Sequence, residues 1–160
     1  MLIAALIGVI LISFAGVLFF GAPYLPTLTP QVEIALKLAN LKKGHTLLEL
    51  GCGDGKVLIA AAKQGYKVVG YELNPILALI AWLRTRRHKS QVTVYCANFW
   101  NVTLPPAEAI FIFLLPKYMT KLEQKILLRY PGGIKVISFA FPIAGRKPTN
   151  EEQGVFLYKM

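Results

Sequence analysis

Glu49-Leu50-Gly51-Cys52-Gly53-Asp54-Gly55 is the stretch that decides how this chain folds. The apolar run Thr46 to Leu50 leads into it and reads as a buried strand; Lys56 to about Lys63, closed by Gly65, reads as a helix. Glycines between a strand and a helix let the main chain lie close to a ligand at the helix N-terminus. Two nucleotide loops are excluded. The spacing G-x-G-x-x-G would need glycine at position 56, which is Lys56, and no G-K-S or G-K-T triplet occurs.

Strands and helices alternate outward from this turn. Lys67 to Tyr71 is the second strand, Val92 to Cys96 the third, Ala109 to Leu114 the fourth, Ile134 to Phe141 the fifth and Val155 to Met160 the last. Asn74-Pro75 starts a helix that runs to about Arg87, and Lys117 to Arg129 reads as another. Thr29-Pro30 reads as cap and first turn of a helix that ends near Lys42-Lys43-Gly44, and Arg146 to Gly154 as a polar loop. This is an α/β pattern on a mainly parallel sheet of about six strands. Runs as apolar as IFIFLL are expected where both faces of a sheet are covered.

Composition narrows the function classes. The chain has 160 residues, 55% hydrophobic and 16% charged, which is one domain's worth and not a disordered chain. Two cysteines and two widely spaced histidines provide neither a disulfide scaffold nor a metal site, and Cys52 and Cys96 read as small core residues. Lys plus Arg is 18 against 8 for Asp plus Glu, a net charge of +10, and residues 1–32 contain none of these charges. Met1 to Phe20 has Ser13 as its only polar side chain, and at about 1.5 Å per residue it matches a bilayer's hydrocarbon core. The chain thus divides into an expected transmembrane anchor at 1–21 and an α/β domain at 22–160. Lys37, Lys42 and Lys43 follow the anchor, which places that domain on the cytoplasmic side, or the matrix side if mitochondrial. The basic run Arg84, Arg86, Arg87, His88 and Lys89 ends a helix, where it complements the dipole and suits anionic headgroups. No interleaved aromatic and basic surface favours nucleic acid.

A second acid supports a ligand role for the glycine turn. Glu72 closes the second strand, 21 residues after Gly51, where a carboxylate can accept both hydroxyls of a ribose. At the end of strand three stands Ala97-Asn98-Phe99-Trp100. The acidic residue followed by Gly-x-Gly-x-Gly resembles motif I of class I S-adenosylmethionine-dependent methyltransferases. The likeness extends through Pro23-Tyr24-Leu25-Pro26-Thr27, Gly70-Tyr71-Glu72-Leu73-Asn74-Pro75, Asn98-Phe99-Trp100 and Phe113-Leu114-Leu115-Pro116, which occur in that order. Over about residues 22–160 the chain resembles a family of small protein-lysine methyltransferases. That family includes an archaeal lysine methyltransferase and the mitochondrial enzymes that modify ATP synthase and the adenine nucleotide translocase.

The resemblance implies a Rossmann-like class I sheet with S-adenosyl-L-methionine as cofactor and a protein lysine as substrate. By position it places Thr27 by the methionine end and makes Glu49, Gly51 and Gly53 the cofactor's bed. Glu72 and the adjoining Leu73 then hold the ribose, and Asn98 with Phe99 flanks the adenine. Asn98 stands where the family usually has Asp, and Ala140 where some members have Asp. A lysine amine has an ordinary pKa of about 10.4 and must be neutral to accept a methyl group, which an apolar channel favours. Tyr24, Trp100, Phe113, Pro116 and Tyr118 are candidates for its wall, and no residue stands out as a general base. A small or lipidic substrate, or a non-catalytic cofactor-binding module, are the alternatives.

Overall fold

The run Thr46–Leu50 becomes β1, the strand around which the sheet is built. The computed structural model describes residues 25–130 and 133–160. The expected membrane span at 1–21, Pro23 and Tyr24 lie outside the described residues. Among those described, no helix is long and apolar enough to cross a membrane. β1 pairs in parallel with β2 (Lys67–Glu72) and β4 (Ala109–Ile112). β3 (Val92–Cys96) lies outside β2, and β5 (Lys135–Phe139) outside β4, both again parallel. β7 (Val155–Lys159) is antiparallel to β5 and to β6 (Asn150–Glu152). The order is β3-β2-β1-β4-β5-β7-β6, so the topology switches between β1 and β4, where open sheets of this kind hold ligands at their C-terminal edge.

The sheet has seven strands rather than six. The additional one, β6, lies inside Arg146–Gly154, which the sequence reading makes a loop. Asn150-Glu151-Glu152 is polar because it forms the sheet's outer edge. Gln153 and Gly154, at φ 48° and 76°, make the two-residue turn with both central residues left-handed that suits a hairpin.

Side chains alternate between two cores, as the pleat requires. Leu47, Ala109 and Ile137 face one; Leu48, Ile110 and Val136 face the other. The first core is covered by α1 (Thr29–Ala39) and α2 (Lys56–Lys63), with Ala81 of α3 (Pro75–Thr85). α1 packs on β5 and β7, and Lys37 reaches Glu152 of the last hairpin at 2.8 Å. Leu28, not Thr29, occupies the cap position of α1, without a side-chain cap. The helix also ends earlier than expected, closed by left-handed Asn40 at φ 40°. Lys42 and Lys43 therefore miss its C-terminus. Lys135 of β5 serves it instead, donating to the carbonyls of Ala39 at 2.6 Å and Asn40 at 3.3 Å.

The second core has thinner cover. Lys117–Arg129 is not one helix: α4 (Met119–Lys125) stands between the short 3-10 turns Pro116–Tyr118 and Leu127–Arg129. Between β3 and β4 the only helical piece is the 3-10 turn Phe99–Asn101. A cavity of about 420 Å³ lies beside it, lined by Phe99, Trp100, Leu104, Ile126 and Tyr130, with Lys125 and Arg129. Cys52 is buried as expected, but Cys96 is exposed, because β3 is an edge strand.

Gly70, in the middle of β2, carries a constraint that links core and loop. A Cβ there would lie 2.8 Å from Leu58 Cδ1 and 2.9 Å from Cys52 Sγ. Gly70→Ala is expected to cost about 1–3 kcal/mol in urea unfolding, the scale of overpacking a core; an unchanged midpoint would reject this packing.

Candidate cofactor site

The turn after β1 is held by its own amides. Gly51 N–H and Cys52 N–H both donate to the Tyr71 carbonyl at 2.9 Å. Gly53 N–H donates to Glu72 Oε2 at 2.9 Å, and Gly55 N–H to the Cys52 carbonyl at 2.9 Å. Anion cradles leave such N–H groups pointing at the ligand. Here the amides of Gly51, Cys52, Gly53 and Gly55 face the protein instead. Gly51 requires its residue type through φ 90°, with open space where a side chain would go. Gly55 requires it through contact: a Cβ would sit 3.2 Å from Ala81 Cα.

Glu72 is the hub. Its Oε1 accepts from Asn74 N–H at 2.8 Å, its Oε2 from Gly53, and its backbone carbonyl from Ala97 N–H at 2.9 Å. The side chain is buried, and each carboxylate oxygen keeps a further acceptor position. Asn74 caps α3, its Oδ1 accepting from Ile76 at 2.9 Å and Leu77 at 3.3 Å. One carboxylate therefore fixes the glycine turn and the start of α3, and the same residue's carbonyl fixes the end of β3.

Glu49 supplies the contrast. It is 4% exposed, and its Oε2 has no hydrogen-bond partner. Burial, followed by the charges of Asp54 and Glu72, pushes its carboxyl well above the usual range. The same burial, with Glu49 and Glu72 beside it, pushes the Cys52 thiol up and makes it a poor nucleophile. The site thus combines an orphaned acidic oxygen, a second carboxylate with spare acceptor positions, and four inward-facing amides in the glycine turn. That chemistry fits a ligand with a cationic group and hydroxyls.

The remaining expected residues connect to this pair through their neighbours. Thr27 is buried, and its carbonyl accepts from Lys56 Nζ at 2.9 Å, which brings it to the foot of α2. Leu73 lies between Glu72 and Asn74. Asn98 follows Ala97, and its Oδ1 accepts from Trp100 N–H at 3.0 Å, capping the short turn. Phe99 packs on Trp100 with ring centres 4.6 Å apart. The expected channel wall separates into two groups. Trp100 neighbours Tyr118 at 6.2 Å, whereas Phe113 lies 4.7 Å from Phe139 and 6.3 Å from Phe141, and Pro116 is exposed. The sequence reading did not single out Phe139 and Phe141. They converge on Phe113 because Ala140 is left-handed at φ 65° and Ser138 Oγ donates to the Phe141 carbonyl at 2.5 Å. The Arg84–Asp54 ion pair, which ties α3 to the glycine turn, was not singled out either.

This strand order, with a glycine turn after β1 and an acid at the end of β2, defines a class I methyltransferase fold. A family model described as the ANTKMT methyltransferase domain matches residues 49–150, and the chain belongs to that family. It is 37% identical over 123 residues to the lysine N-methyltransferase of Mus musculus that is named for ATP synthase, covering 75% of this chain and 49% of that protein. It is 31% identical over 130 residues to a protein-lysine N-methyltransferase of Saccharolobus islandicus, covering 79% and 81% respectively. Among solved structures, an RNA methyltransferase from Salinibacter ruber in complex with S-adenosyl-L-homocysteine superposes with a TM-score of 0.76. That match has 26% identity and covers 84% of this chain and 92% of the other. The chain spans about half the length of the vertebrate relatives it matches.

Glu49 generates a stability prediction with a definite sign. The folded form holds its proton more tightly than the unfolded chain, whose Glu titrates at about 4.3. Acid therefore favours folding through this group, and that contribution is lost as pH rises through the folded-state value. Glu49→Gln is expected to unfold several degrees higher than the parent at pH 8 and within a degree or so of it at pH 4, since each ten-fold change in proton affinity is worth about 1.4 kcal/mol. Thermal scans at the two pH values measure this, and equal differences at both would contradict it.

Proposed function

We propose that this chain transfers a methyl group from S-adenosyl-L-methionine to the side-chain amine of lysine in a protein. The unpartnered Oε2 of Glu49 beside Glu72, under a turn whose amides face inward, carries this reading. A ligand with an ammonium group, a sulfonium and ribose hydroxyls matches that acidic site. Glu49 and the glycine turn would hold its amino-acid end with Thr27, Glu72 and Leu73 its ribose, and Asn98 and Phe99 its base. The mouse and Saccharolobus relatives, by their names, modify lysine and support the choice of substrate.

Bound, the cofactor supplies an electrophilic methyl group. The chain's own residues have to orient the acceptor and keep it neutral. Phe113, Phe139 and Phe141 form an apolar cluster just past β4 and around the end of β5. A lysine inserted among such rings loses hydration and with it proton affinity, and the aromatic faces favour a methylated ammonium afterwards. No general base is assigned. Holding two reactants in line is itself worth about 7–11 kcal/mol, enough to be the main contribution.

The proposed substrate is a membrane or membrane-proximal protein, with residues 1–21 as a single-pass anchor and the domain on the cytoplasmic or matrix side. The apolar run Met1 to Phe20 supports this, as do the basic residues after it. Incubating the purified chain with membranes and methyl-labelled cofactor tests it: label is expected in a protein band and at lysine after hydrolysis. Label confined to an organic extract would instead favour a small or lipidic substrate, and label in RNA would favour the activity named for the Salinibacter relative. Binding without transfer would leave a non-catalytic module.

Two binding outcomes are expected. S-adenosylhomocysteine raises the unfolding temperature more than ADP or NAD at equal concentration, because its ammonium group suits the unpartnered Glu49 oxygen and their phosphates do not. Glu72→Gln weakens S-adenosylhomocysteine binding by about 1–3 kcal/mol in calorimetry, the scale of a lost hydrogen bond to a charged group; an unchanged affinity removes Glu72 from the site.

A further inference from the structure

α3 is apolar on two opposite faces. Its inner face, with Leu77, Ala78, Ala81 and Thr85, is buried, and Ala81 lies against Gly55 of the glycine turn. Its outer face presents Leu79, Ile80, Trp82 and Leu83, exposed at 55%, 37%, 53% and 47%. A surface helix with water on its outer side ordinarily places charge there, and a contiguous exposed apolar patch marks an interaction site.

Charge identifies what covers it. The helix runs out into Arg84, Arg86, Arg87, His88 and Lys89, and between Glu72 and Glu108 the sequence has no acidic residue. Arg84 is engaged by Asp54, but Arg86, Arg87 and Lys89 enter no ion pair among the described residues. The Arg86 guanidinium lies 5.6 Å from the centre of the Trp82 ring, so cation and tryptophan share one surface. Leucine and tryptophan on one side with arginine and lysine at the margin is the composition of helices that lie in a membrane interface. RNA would satisfy the cations and leave the leucines in water.

The place where the chain enters the fold lies close by. Leu25 and Leu28 are exposed on either side of Thr27, whose carbonyl is held by Lys56 at the start of α2. Asp54, two residues before Lys56, holds Arg84 of α3. The described chain therefore begins on the side of the domain where α2 and the glycine turn meet this helix.

We propose that the outer face of α3 is a peripheral membrane contact that lies in the headgroup region of an anionic bilayer. It is separate from the reaction and from the anchor at 1–21. The glycine turn, packed on the helix's inner face, then stands one helix thickness from the lipid.

The test uses the full chain with vesicles of phosphatidylcholine alone or mixed with phosphatidylglycerol. The chain has two tryptophans, so Trp100→Phe isolates Trp82. Because Trp100 packs among other rings, the parent-minus-Trp82→Phe difference spectrum gives a second reading that leaves Trp100 in place. Trp82 emission is expected to shift to the blue in mixed vesicles and to be quenched by lipids brominated near the headgroup end. The variant Arg86→Gln/Arg87→Gln/Lys89→Gln is expected to need about 100-fold more anionic lipid for the same shift, since each charge near the surface is worth roughly a five-fold change. Its S-adenosylhomocysteine affinity should equal that of the parent, so failure here and failure of the methyltransferase reading are told apart. The proposal is overturned if iodide reaches Trp82 equally with and without mixed vesicles. It is equally overturned if Trp82 is shielded only by added RNA, or only by raising the protein concentration without lipid.

Discussion

The arrangement of this molecule depends on the carboxylate of Glu72 accepting two backbone N–H groups from different parts of the chain. Charge-assisted bonds of this kind are among the stronger ones in proteins. With Gly53 on one oxygen and Asn74 on the other, the turn after β1 is pulled toward β2. The same fastening sets the site's character. A loop of the kind that elsewhere welcomes anions becomes one bordered by acid, with Glu49 and Glu72 buried in one region. On the proposed reading, stability and ligand binding are then opposed at Glu49, whose buried charge disfavours the fold and would be useful to a cationic ligand. Such opposition between local stability and function is common at sites.

Much of this was legible in the sequence because local chemistry and global position agree. The bounds of β1 and β3 coincide with apolar runs, and Asn74-Pro75 caps α3 as such a pair should. The glycine turn and Glu72 were found by spacing, and both lie at the sheet's ligand-binding edge. The rest required contacts between distant residues. Nothing local about Lys135 announces that it will close α1 from the far side of the sheet. β6 was hidden because an edge strand has no need of apolar residues and its turn is Gln-Gly rather than Asn-Gly. Cys96 looked like core because an apolar strand does not reveal that it is outermost. The convergence of Phe113, Phe139 and Phe141 depends on one left-handed alanine.

The two faces of the sheet are built unequally, and the site belongs to both. On one face α2 continues directly from the glycine turn and α3 packs against it through Ala81. The other face relies on α4 and on a β3–β4 connection with little regular structure. The aromatic cluster thus comes from strand ends and short turns rather than from long helices. Such segments vary more easily than a packed layer, so on the proposed reading acceptor preference can change while the cofactor bed stays fixed.

The clasp between α1 and the last hairpin also governs how the polypeptide is made. Lys37 meets Glu152 across 115 positions, and Ala39 meets Lys135 across 96. A ribosome adding about 5–20 residues per second delivers that second partner roughly 5–20 s after the helix. Throughout that interval Val32, Leu36 and Ala39 have no strand to cover them. Thr29–Ala39 is thus made well before the strands that shelter it, β5 and β7.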